Sequence, residues 1–79
     1  MLQNVIQSDR FSRTALTSAG DFYKVDTNHT FKYELVASDV YLLMGNGYYT
    51  NNGLFYKLDY NRNIYLLFLK DVALPQIKP

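Results

Sequence analysis

Apolar and polar residues alternate with period two along most of this chain, and no stretch of ten or more residues combines helical periodicity with plausible caps. Phe31, Tyr33 and Leu35 fall on one side of an extended backbone, with Thr30, Lys32 and Glu34 on the other. Val40, Leu42 and Met44 repeat the pattern, as do Leu54, Tyr56, Leu58 and Tyr60 against Phe55, Lys57 and Asp59. Between these runs lie Ala19-Gly20-Asp21, Gly45-Asn46-Gly47, Asn51-Asn52-Gly53 and Asn61-Arg62-Asn63. Glycine and asparagine tolerate the positive φ that tight hairpins need. The pattern predicts an all-β antiparallel barrel or sandwich, a single domain over 1–79 with no internal repeat.

A chain of 79 residues buries only roughly 60% of its unfolded surface, so small domains of this kind lean on disulfides, a metal or a second subunit. There is no cysteine and only one histidine, His29, which leaves oligomerisation. Ile64-Tyr65-Leu66-Leu67-Phe68-Leu69 is apolar on both faces of a strand, and a strand covered on both sides implies a homodimer. No nucleophile sits beside a base, the acids are scattered, and Gly45-Asn46-Gly47 lacks the rest of a phosphate loop. The expectation is a protein that is not an enzyme, with no cofactor, metal or small-molecule substrate. The start of the chain lacks a secretory pattern, and its longest apolar run is far too short for a bilayer. This predicts a cytoplasmic protein without a membrane partner.

The functional signal is the stretch from Arg13 to Tyr33. Phe22, Tyr23, Phe31 and Tyr33 are interleaved there with Arg13, Lys24 and Lys32. Ring faces beside cations suit an unpaired nucleic-acid strand, because rings stack on bases and cations neutralise the phosphates between them. The net charge of +1 supplies no general phosphate field, so the cations must cluster, and Asp21 and Asp26 stand inside the same ribbon. Tyrosine also serves protein interfaces. A small viral-type β-barrel adaptor or inhibitor that binds a protein through a tyrosine-rich face is therefore the alternative.

The order of Phe11, Ser12-Arg13-Thr14-Ala15-Leu16-Thr17, Gly20-Asp21-Phe22-Tyr23-Lys24-Val25, Phe31-Lys32-Tyr33-Glu34-Leu35 and Asn52-Gly53-Leu54-Phe55-Tyr56-Lys57-Leu58 resembles the filamentous-phage single-stranded DNA-binding proteins of the helix-destabilising, gene V type. The resemblance implies a small five-stranded antiparallel barrel, OB-fold-like, with a protruding β-ribbon wing, acting as a homodimer in the host cytoplasm. It implies coating of single-stranded DNA, with RNA left open, at little sequence preference. On that resemblance Tyr23 is the stacking residue, Val25 the apolar residue beside it, Arg13 the first wing arginine and Lys70 the cation of the last strand. The shortened loop at Asp59-Tyr60-Asn61-Arg62-Asn63 would bring Tyr60 and Arg62 to the strand. Arg13, Lys24, Arg62 and Lys70 are then expected to converge on one groove, with Asp9, Asp39 and Asp59 away from it. The sequence departs from the family at Ser18, Asp21 and Phe22, where a cation, a cation and a proline would stand.

Overall fold

In a computed structural model, which describes residues 2–10, 12–26 and 32–76, the protein is all-β and antiparallel. Eight short strands form two four-stranded sheets. The first contains β1 (Val5–Asp9), β2 (Thr14–Thr17), β3 (Phe22–Asp26) and β4 (Lys32–Ala37), in that order. The second contains β5 (Val40–Met44), β6 (Gly47–Thr50), β7 (Phe55–Asp59) and β8 (Ile64–Leu69), also in chain order. The chain divides into two compact units, Met1–Val40 and Tyr41–Pro79. The expected five strands of a single barrel are thus eight strands in two meanders. The turn signals are denser than a five-stranded barrel needs, and each cuts a strand after four to six residues.

The absence of an internal repeat is the second expectation to fall. Thr50, Gly53, Phe55, Tyr56, Lys57 and Asp59 reproduce the identities and spacing of Thr17, Gly20, Phe22, Tyr23, Lys24 and Asp26. The backbone repeats with them. Thr14, Ala15 and Leu16 pair with Lys24, Tyr23 and Phe22, and Gly47, Tyr48 and Tyr49 pair with Lys57, Tyr56 and Phe55. A bulge breaks the next ladder at the same point, Phe22/Tyr23 in one sheet and Phe55/Tyr56 in the other.

The turns are duplicated too. In the first, the Gly20 N–H donates to the Thr17 carbonyl at 3.0 Å and the Asp21 N–H to Thr17 Oγ1 at 3.3 Å. In the second, Gly53 and Leu54 do the same to Thr50, at 3.1 and 3.2 Å. Both threonines are buried, their hydroxyls capping the turn in place of water. Gly20 and Gly53 have φ of 86° and 80°, where a side chain would be strained. The Val40 N–H donates to the Gly20 carbonyl at 2.9 Å, and the Val72 N–H to that of Gly53 at 2.8 Å. Each valine follows an aspartate at positive φ, Asp39 at 61° and Asp71 at 54°. The chain is two copies of one four-stranded module.

In the first module Leu16 and Phe22 are fully buried, with Ala15, Thr14 and Thr17 close to it. In the second module the buried centre is Tyr48, stacked on Tyr56 at 5.1 Å and edge-on to Tyr65 at 5.2 Å. The tail is tied to this module by the Tyr41 hydroxyl, which donates to the Pro75 carbonyl at 2.8 Å. Among the described residues, no helix is long and apolar enough to cross a membrane.

Candidate binding groove

Cross-strand partners share a face of the sheet, so the registers sort the first module's side chains. Ser8 pairs with Ala15, Ala15 with Tyr23, Tyr23 with Leu35, and Val25 with Tyr33. These residues line one face, and Lys24 and Glu34 project from the other. On the first face lies a groove of about 680 Å³ whose walls include Val5, Asp9, Arg10, Arg13, Val25 and Tyr33, so Asp9, expected away from the cations, stands among them. Its size falls within the range of about 300–1,000 Å³ usual for ligand sites. Tyr23 and Tyr33 meet edge to face beside it, ring centres 6.5 Å apart.

Comparing the modules accounts for the groove. Ala15, Tyr23, Val25, Tyr33 and Leu35 occupy the repeat positions of Tyr48, Tyr56, Leu58, Tyr65 and Leu67. Where the second module places the Tyr48 ring, the first has only a methyl group. The groove forms on the face that Tyr48 fills in the second module. Burial, and then the neighbouring Tyr56 and Tyr65 hydroxyls, push the Tyr48 pKa up to about 12.

The backbone at the groove wall has an unusual conformation. Among the described non-glycine residues at positive φ, Asn4, Asp39, Asn63 and Asp71 are of the types that tolerate it, and Arg13, at 57°, is not. Arg13 stands in the turn between β1 and β2, directly before Thr14. The Arg13 carbonyl accepts the Val25 N–H at 2.9 Å, just as Asn46 accepts that of Leu58 at 2.8 Å. The module therefore needs only the backbone at this point.

Of the residues expected at a nucleic-acid site, Arg13 and Val25 are brought together at the groove. Phe22 is 1% exposed and belongs to the core, which corrects its assignment as a stacking surface. Its position beside Tyr23 on a strand sends it to the opposite face, against Leu16. Tyr23, expected to stack on bases, is half-buried within β3. Lys24 and exposed Lys32 alternate away from the groove face. Tyr60 is 72% exposed in the turn after β7. Arg62 lies in the same turn, with Nε 3.7 Å from Asp59 Oδ2, so Asp59 stands beside this cation and not away from it. Lys70 lies beyond the other end of β8. Within neither module do the cations converge as expected. Phe31 falls outside the described residues. Arg10 was missed, although its closeness to Arg13 across the β1–β2 turn was visible in the sequence.

Among the described residues, no group of three acids, histidines or cysteines could hold a metal ion. No family model, curated protein or solved structure matches the chain.

Proposed function

We propose that this is a non-catalytic binding protein whose ligand is an unpaired nucleic-acid strand, held locally in the groove of the first module. One observation carries the reading. The groove is lined by two arginines, Arg10 and Arg13, together with Val25, Tyr33 and a single carboxylate, Asp9. Guanidinium groups pair bidentately with phosphate oxygens, and a ring beside them offers a stacking surface for a base. Within the first module Lys24 turns away from the groove face, which argues for a grip on one or two nucleotides in place of a continuous coat.

The test is a fluorescence titration of the protein with unstructured DNA and RNA oligonucleotides at several salt concentrations. Neutralising two phosphates gives a log–log salt slope of about −1.4, at about −0.7 for each on single strands. A much steeper slope would point back to a longer phosphate track. Binding that ignores salt, or no binding, would overturn the nucleic-acid reading. The adaptor reading would then stand, favoured by the exposed Tyr60 and Phe68 rings.

A further inference from the structure

Every residue in the groove wall belongs to the first unit, and the charged ones gather at one end of it. Val5 pairs with Thr17 and Asp9 with Thr14, so Leu2 and Val5 mark one end and the β1–β2 turn marks the other. From Val5 to Arg10 the chain spans roughly 16 Å, at about 3.3 Å per residue. A stacked strand carries a phosphate about every 3.4 Å. Laid lengthwise, it would set phosphates against the Asp9 carboxylate and against apolar Leu2 and Val5, where the wall offers no cation. Laid across the turn, it meets Arg10 after β1 and Arg13 before β2, one on each side.

The second module shows what the space beyond the turn accepts. Its Tyr48 ring lies flat on Tyr56, the planes 8° apart, and meets Tyr65 edge-on at 65°. Tyr23 and Tyr33 hold the equivalent positions in the first module, where Ala15 brings no third ring. The opening has the place of one aromatic ring, and a nucleobase is such a ring. We propose that the groove takes a single base, turned out of a strand that crosses the β1–β2 turn, with the two flanking phosphates on Arg10 and Arg13. The proposal rests on the nucleic-acid reading and adds to it the number of bases held and the direction of the strand. Inside the groove the base lies against Tyr23 and Tyr33, as the Tyr48 ring lies against Tyr56 and Tyr65. Turning a base out costs least where it is already unpaired. Every base has a π-face, so any of the four can enter, and its neighbours stay outside.

The experiment is a calorimetric titration of the full chain with short DNA oligonucleotides of one length that differ only in their bases. One strand is wholly abasic, one carries a single central base, one carries two adjacent bases, and one is complete. The single base should tighten binding about 5- to 150-fold over the abasic strand. A second adjacent base should add only the statistical factor of about two. A second base that tightens binding as much as the first would overturn the proposal. So would an abasic strand held as tightly as the one-base strand. In either case, salt-sensitive binding of the complete strand would leave the broader reading in place, whereas a complete strand that does not bind removes both. Two variants assign the contacts. Arg10→Gln, at an exposed turn residue, should weaken the abasic and one-base strands by the same factor. Tyr33→Leu, at a residue 45% exposed, should shrink the gain from the single base and leave the abasic strand unchanged. The opposite pattern would overturn the placement of base and phosphates, and if a variant fails to fold, the wild-type series still decides.

Discussion

The most informative perturbation is Ala15→Tyr, which gives the first module the residue that the second has at the same repeat position. Ala15 is 8% exposed, and Tyr48 in the same register is 5% exposed, so the backbone of the module is known to accept the ring. The new side chain would enter the groove toward Tyr23 and Tyr33, as Tyr48 sits against Tyr56 and Tyr65. Each well-placed aromatic pair is worth about 0.5–1.5 kcal/mol, and overpacking costs about 1–3 kcal/mol where neighbours must shift. The two terms nearly cancel, so stability should change by no more than about 1 kcal/mol. For a chain of this size, that moves Tm by about 4–8 °C. Binding should respond far more, because the ring takes the space of the ligand. Losing one stacked base, at about 1–3 kcal/mol, weakens binding by about 5- to 150-fold. Thermal melting and the oligonucleotide titration, run on one preparation, check both halves. A variant that melts normally and binds like the wild type would show that the ligand does not use the groove. Gross unfolding would refute the equivalence of the two modules.

Arg13→Asn should hold or raise Tm, because asparagine tolerates φ near 57°, while binding weakens and the salt slope becomes shallower by about 0.7; an unchanged slope would mean that Arg13 touches no phosphate. Gly47→Ala should lower stability by about 1–3 kcal/mol, read from chemical denaturation, since the added methyl would meet the Tyr56 carbonyl oxygen and the Phe55 ring. The pKa of Tyr48, about 12 in the folded state, lies above the tyrosine value of about 10 that the unfolded chain shows. Its contribution to stability is therefore complete below pH 10 and lost as pH rises toward 12. Tyr48→Phe should flatten the alkaline limb of a stability–pH curve, and an unaltered limb would assign that loss to other groups.

Strand formation was legible because it needs only local signals. Period-two patterning and Gly/Asn turns placed extended segments through most of the chain, and the assignment of Tyr48 and Tyr49 to opposite faces follows from the same rule. The strand count was not legible, since a pattern of alternation does not say where one strand stops pairing and the next begins. The repeat was present in plain sight as Phe22-Tyr23-Lys24-Val25-Asp26 and Phe55-Tyr56-Lys57-Leu58-Asp59. Reading the first as a binding wing gave it a special meaning that the second, carrying the same residues, takes away. Phe and Lys types alone also cannot say which face a strand residue takes, and pairing sent Phe22 and Lys24 away from the groove. The groove itself could not be read from the sequence without the repeat, because it arises from a missing ring at Ala15.

In each sheet, strands stand in the order in which the chain makes them, and that order governs the speed of folding. Every ladder closes through a short connection, so forming it costs little loop entropy and demands no search for a distant partner. Hairpins of this kind form in about 1–10 μs, and proteins built from local contacts fold faster than those dominated by distant pairings. The first module, complete by Val40, can reach its native pairings while a ribosome is still adding the residues of the second.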